Sequence, residues 1–405
     1  MQFRRSTLSL LLLALLVMMA PRPPLASAGP GLSVSPQGVL LKDGRPYRAI
    51  GANYFSGFYR HLMNPNDTSY REGFKVLAKH KIPYVRIMAA GFYPLDWKLY
   101  REDKAAYLRR LDDVVRAAEE NHIGLICSLF FAGVYMPDVV GEPIDQLGNP
   151  KSKTWDFMRQ YIHDVVPRYQ HSPALWGWEF GNEMNHQMDI WGSRTTVLPQ
   201  MGTAAKRTSR DDLTWTMIHA AFLEFAKEVR KYDPERIIES GNAVPRQSAW
   251  HNTHEHSFVP DTRDQYAEML LRDNPDPMNV ISIHLYANGD DMFYADRKVK
   301  ISELFRETQA MAATVKKPVF LGEFGATASM GPEREGITKL IAAIEANKIP
   351  LSAIWDFDGV SHDTQWVKDW RISEDNPRGY MLDLVQQANE RIATQLENER
   401  KHAKP

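Results

Sequence analysis

Glu183 closes the segment Trp178-Glu179-Phe180-Gly181-Asn182-Glu183, and Glu323 stands within Phe320-Leu321-Gly322-Glu323-Phe324-Gly325. Each follows a short apolar run with the composition of a buried strand. If those strands belong to one barrel, the two acids face each other across its mouth. Two carboxyls facing across a cleft are the minimum equipment for glycoside hydrolysis: one protonates the leaving oxygen while the other attacks the anomeric carbon.

The elements that must position them alternate along the chain. Strands are expected at Tyr47 to Phe55, Ile82 to Met88, Gly124 to Phe130, Ala174 to Phe180, Arg236 to Ser240, Val280 to Tyr286, Pro318 to Glu323 and Leu351 to Phe357. Between them, apolar residues recur at helical offsets, as in Tyr107, Leu111, Val114 and Ala118, or Trp215, Ile218, Phe222 and Val229. Ser69 with Glu72 has the spacing of a capping box. Eight continuous apolar strands, each followed by a helix, are the pattern of an α/β protein of the (β/α)8 TIM-barrel class. An open doubly wound sheet would show a Gly-rich turn after its first strand, and Gly51-Ala52-Asn53-Tyr54-Phe55 is not one.

A barrel of this kind takes about 250 residues, so well over a hundred are left for loops and ends. Most fall in Met184 to Asp211, Asn242 to Asn279, Ala287 to Lys300 and Asp358 to Arg378. All four follow a strand, which places them on the C-terminal face of the barrel, where such enzymes keep their sites. Leu382 to Pro405 reads as a closing helix with a frayed end, and the chain from 29 to 405 reads as a single domain.

The Asn-Glu after strand 4, the Gly-Glu-Phe-Gly of strand 7 and the tryptophan after strand 8 resemble the retaining (β/α)8 glycosidases of clan A. They are most similar to glycoside hydrolase family 5, the cellulase and mannanase family. That resemblance implies that Glu183 is the general acid/base and Glu323 the nucleophile, with carboxyls roughly 5 to 5.5 Å apart. It further implies that Asn182 binds the sugar 2-hydroxyl, that His284 lines the substrate subsite and that the Tyr286 hydroxyl bonds the nucleophile. Trp355 would be the platform on which the sugar stacks. Arg86 matches the family's barrel arginine and would hold Glu323 ionised; an ion pair with Glu179 is the other reading of the same residue. The sequence departs from the family at strand 3, where Cys127-Ser128-Leu129-Phe130-Phe131 supplies no histidine, leaving Phe130 or Phe131 to cover that space.

Rings also populate the loops: Phe92, Tyr93, Trp97, Trp191, Trp250, Phe293, Tyr294, Trp366 and Trp370. Together they suggest an extended cleft for an oligosaccharide, although each alone suits loop packing. His251, His254, Glu255 and His256 have metal-ligand chemistry, but they do not form H-E-x-x-H and no helical frame is expected there. Substrate contact or a solvated loop are the other readings, and neither a metal nor a cofactor is expected. A metal-dependent barrel hydrolase would need histidines at the ends of strands 1, 5 and 6, and strand 1 offers Asn53 and Tyr54. A carbohydrate-binding barrel without chemistry would have no use for both glutamates.

Composition narrows the partners. Arg4 and Arg5, the apolar run Leu8 to Ala20 and the small residues Ala26-Ser27-Ala28 read as a secretory signal over 1–28. Secretion or delivery to a periplasm is therefore expected. The apolar run is too short to span a bilayer, so no membrane residence is expected after cleavage. Taking Arg4, Arg5 and Arg22 from the 49 basic residues leaves 46 against 50 acidic ones, a net charge of about −4. That balance argues against a nucleic-acid binder. The single cysteine, Cys127, excludes a disulfide framework, so stability must come from a large core. The expected partner is a β-linked polysaccharide or oligosaccharide, most simply β-1,4-glucan or β-mannan attacked from within, with an exo-acting mannosidase or glucosidase as the alternative.

Overall fold

The computed structural model describes residues 31–197, 201–286, 292–360 and 364–402, so the expected leader lies outside it. Eight parallel strands form the barrel: β1 (Ala49–Asn53), β2 (Tyr84–Met88), β3 (Gly124–Ser128), β4 (Leu175–Glu179), β5 (Ile237–Glu239), β6 (Ile281–Tyr286), β7 (Val319–Gly325) and β8 (Leu351–Ile354). Each coincides with one of the expected apolar runs. The helices that return the chain are α1 (Tyr70–Lys79), α2 (Lys104–Glu120), α3 (Lys153–Tyr169), α4 (Trp215–Arg230), α5 (Arg263–Asp273), α6 (Ile301–Thr314), α7 (Glu333–Ala346) and α8 (Tyr380–His402).

Pairing runs β5-β4-β3-β2-β1-β8-β7-β6, so among the described residues no ladder joins β5 to β6. Side chains close that seam. Asn279 donates its amide to the Ile238 carbonyl and accepts the Ile238 amide on its Oδ1. Asn274 Oδ1 accepts from Ser240 Oγ and from the Ser282 amide. Backbone groups that a ladder would have satisfied are thus satisfied by asparagines, as buried polar groups must be.

The strands are apolar throughout because helices cover the outside and side chains fill the inside. The interior is layered. Tyr84, Ile126, Trp176, Ile237, Phe320 and Leu351 pack the lower end of the barrel, with the Tyr84 hydroxyl donating to the Ser352 carbonyl at 2.7 Å. Two residues further along β2 and β5 the same inward phase presents Arg86 and Glu239, while on β4 a register shift lets Glu179, three residues beyond Trp176, join them opposite Glu239. Glycine is required where β1 approaches β2, since a Cβ on Gly51 would lie 2.6 Å from the Tyr84 carbonyl oxygen.

Two local expectations fail. Ser69 does not cap α1: its backbone is helical and its hydroxyl donates to Asp67 Oδ1 at 2.5 Å, leaving Glu72 to pair with Lys75. The Asx-type turn at Asp67 competes for the same hydroxyl and wins. The histidine-rich loop does have a helical frame, Ala249–Glu255. Periodicity also gives no sign of the antiparallel meander Leu32–Val34, Leu40–Lys42 and Arg45–Pro46, which abuts the lower end of the barrel. Among the described residues no helix is long and apolar enough to cross a membrane.

Candidate active site

Glu323 enters the mouth because β7 is irregular. The register against β6 shifts between Leu321 and Glu323, so Gly322 is the extra residue of a bulge. A bulge re-aims the side chain that follows it. Gly322 also leaves room for His284, whose Nε2 would lie 2.7 Å from a Cβ there. The Glu323 carboxyl is almost wholly buried, and both its oxygens have donors: Arg86 Nη1 reaches Oε1 at 2.7 Å and the Tyr286 hydroxyl donates to Oε2. Burial and the neighbouring Glu323 charge push Tyr286 far above the usual phenol range, so it stays a donor.

Arg86 is the hub of this floor. Its five N–H groups are all used: Nε and Nη2 clamp Glu179, Nη1 reaches Asn53 Oδ1 as well as Glu323, and Nη2 also reaches Asn182 Oδ1 at 2.7 Å. Both readings of Arg86 therefore hold together, the partner of Glu323 and the ion pair with Glu179. The fixed fork of a guanidinium suits such a junction.

Glu183 is held differently. It lies four residues beyond β4, not on it, with φ +49° in the left-handed region. The turn is fastened from below, where the Glu183 amide donates to the Gly241 carbonyl at 2.8 Å. Gly241 has φ +72°, and a Cβ there would lie 1.8 Å from the Gly181 carbonyl oxygen, so only glycine fits. The Glu183 side chain is 27% exposed. His284 Nδ1 approaches its Oε1 at 3.0 Å and Glu323 Oε1 at 3.6 Å. His284 Nε2 has no hydrogen-bond partner among the described residues, while Nδ1 carries a proton that it donates to Glu183. Burial pushes the Glu183 carboxyl up. The His284 hydrogen bond and the charges of His284, His186 and Arg86 outweigh burial and hold it at about 2.

Glu183, His284 and Glu323 each offer an atom within 4.8 Å of the others. That separation lies at the short, retaining end of the range for glycosidase carboxyl pairs and well below the inverting range of about 6.5–9.5 Å. Above the pair opens a cavity of about 430 Å³, lined by Asn182 and Tyr286 and by the rings of Phe55, Phe92, Phe131 and Trp355. Trp355 follows β8 directly, its amide donating to the Phe324 carbonyl at 2.8 Å. All seven residues singled out from sequence, Arg86, Asn182, Glu183, His284, Tyr286, Glu323 and Trp355, thus meet at one mouth.

After β3 it is Phe131 that faces the cavity, its ring 5.3 Å from the Arg86 guanidinium carbon and 5.0 Å from Phe55. Phe130 packs outward among Tyr161, Phe180 and Phe225. Of the loop rings, Phe92, Trp366 and Trp370 line the cavity, Trp97 is core, and the Phe293 side chain lies outside the described residues. The histidine loop is not gathered on one centre: His251 bonds Asp261 at 2.7 Å while His254 sits 3.7 Å from Glu268. Phe55 and Glu239 carried no motif in the sequence. The one available signal was an acid within the apolar run Ile237-Ile238-Glu239.

A cellulase (glycosyl hydrolase family 5) model matches residues 43–361. Sequence comparison with curated proteins finds no match. Similar solved structures include an endo-1,4-β-mannanase from Rhizomucor miehei, with 17% identity and a TM-score of 0.63 over 90% of this chain and 99% of that one. An exo-β-1,4-mannosidase from Opitutaceae bacterium strain TAV5 has 14% identity and a TM-score of 0.60 over 89% and 63% of the two chains. A third, the glycoside hydrolase family 5 mannosidase of Rhizomucor miehei, has 13% identity and a TM-score of 0.59 over 91% and 100%. At these identities the likeness is one of fold.

Proposed function

The chain belongs to the cellulase family, glycosyl hydrolase family 5, and from that premise we propose that it is an exported retaining β-glycosidase acting within β-1,4-linked mannan or glucan. The observation that carries this reading is the pair Glu183 and Glu323, within 4.8 Å of each other and in opposite surroundings. The Glu323 carboxylate attacks the anomeric carbon while Glu183 gives its proton to the glycosidic oxygen, and the leaving sugar departs as an alcohol. Water then attacks the same carbon, Glu183 takes its proton, and Glu323 is released. Glu183 takes the proton it gives to the leaving group from water on its exposed side, and the His284 contact at 3.0 Å holds the carboxyl in place between turnovers. Asn182, held by Arg86, serves the sugar 2-hydroxyl, and Trp355 supplies the stacking face.

Mannan is favoured as substrate by the folds of the mannanase and the mannosidases. Exo action is a second reading, supported by Val360, Trp366 and Trp370 adding to the lining of the cavity. Export rests on the leader in the sequence. Proton NMR of the first product from β-mannan and β-glucan tests the mechanism: the same anomer is expected, and release of the inverted one would remove Glu323 from the nucleophile's role. Product sizes from the same digests separate internal from terminal attack.

A further inference from the structure

Beneath the two carboxyls of the mouth lie two more. Glu179 and Glu239 stand opposite each other on β4 and β5, both wholly buried. As direct cross-strand partners they bring their side chains side by side, and two carboxyls that meet in a dry interior can hydrogen-bond only if one carries a proton. Glu179 receives two N–H groups of Arg86. Glu239 Oε2 receives the Gly241 amide at 3.1 Å, whereas its Oε1 has no donor among the described residues. An ionised oxygen left bare in a dry interior is costly. An O–H at that position, given to Glu179, removes the cost.

We propose that Glu239 is a neutral acid whose O–H, donated to Glu179, positions Arg86 and through it the Glu323 carboxylate and Asn182. Burial first, then the Glu179 charge, pushes Glu239 well above the carboxylate range. Glu179 is buried too, but Arg86 and the Glu239 hydrogen bond bring it below its ordinary value. The other titratable groups facing the pair, Tyr84 on β2 and Cys127 on β3, are held up by burial and are uncharged. Arg86 therefore meets two carboxylates, Glu179 and Glu323, and not three. An ionised Glu239 would compete for the guanidinium and turn the fork away from the nucleophile. The same strand end also sets the acid, because Gly241, which bonds Glu239, carries the carbonyl that fastens Glu183.

This inference rests on Glu323 being the nucleophile, so its test includes an arm that needs no substrate. Carbon-13 NMR of the full chain labelled at glutamate carboxyls, with Glu239→Gln identifying the resonance, should show a neutral acid through neutral pH. Titration in the ordinary carboxylate range overturns the proposal whether or not any glycoside is cleaved. Failure to cleave any glycoside with that neutral signal present would instead sink the hydrolase reading. In the kinetic arm, Glu239→Leu is expected to lower kcat about tenfold or more with little change in KM and to displace the acid limb of the pH profile. Glu239→Gln, whose amide still donates to Glu179, should restore both. Gln as damaging as Leu, or Leu indistinguishable from the parent, refutes the positioning role; if the Leu variant does not fold, the Gln kinetics and the NMR signal decide.

Discussion

Glu323 and Glu183 are the same residue type a few ångströms apart, and the molecule treats them in opposite ways. Glu323 grows from a barrel strand, is shut away from water and is gripped at both oxygens by Arg86 and Tyr286. Glu183 hangs in a left-handed turn beyond its strand, is partly open to solvent and leans on His284, with His186 3.6 Å away. The contrast suits the tasks. A nucleophile must be ionised and fixed in line with one carbon, and a rigid, charge-paired setting provides that. An acid that becomes a base must exchange its proton with water during the cycle, and an open side allows that.

The comparison breaks first at Glu323. Glu323→Gln should lose about 10⁴-fold or more of the activity toward every substrate, because no other group can form the covalent bond; retained hydrolysis of an aryl glycoside would end the assignment. Glu183→Gln should cost about 10²- to 10⁴-fold on polysaccharide. It should cost far less on aryl glycosides whose leaving group needs no proton, and an equal loss on both would show that Glu183 is not the acid.

Tyr286→Phe removes one hydrogen bond to a charged group, worth about 1.5–3 kcal/mol, so kcat should fall about 10- to 100-fold while the fold stays intact. His284→Phe sharpens the other side. Burial raises Glu183, and the His284 hydrogen bond and charge are the first two influences that bring it down to about 2. With His284 gone its downward pull is lost, the acid holds its proton to higher pH, and the alkaline limb of kcat/KM should move up by about 1–2 units. A limb that stays put would separate His284 from the acid.

The smallest effect is on stability. Asp356, adjoining Trp355, is pushed well above the carboxylate range by burial and by the Glu323 charge. The folded chain then keeps a proton that the unfolded chain loses above about pH 4, so stability falls as pH rises from there toward the folded-state value. Asp356→Asn should flatten the decline in Tm between pH 5 and 8. Parallel curves would mean that Asp356 is ionised in the fold.

The barrel is legible in the chain, and so are the two acids that meet at its mouth. Parallel strands covered by helices outside and packed inside must be apolar throughout, so the eight runs stand out, and an acid just past such a run has the mouth as its only polar destination. Other features stayed hidden because they are contacts across the barrel. Arg86 meets Glu179 over 93 residues of chain and Glu323 over 237, and which side chains meet depends on strand register, which no local spacing records. From sequence, Phe130 and Phe131 are equal candidates for the space after strand 3, and only the place where β3 stops puts Phe131 over Arg86. Tertiary structure likewise decided the bulge at Gly322 that turns Glu323 inward and the pairing of Glu179 with Glu239. Side-chain direction and protonation are set by neighbours brought from afar, and those exist only once the barrel has closed.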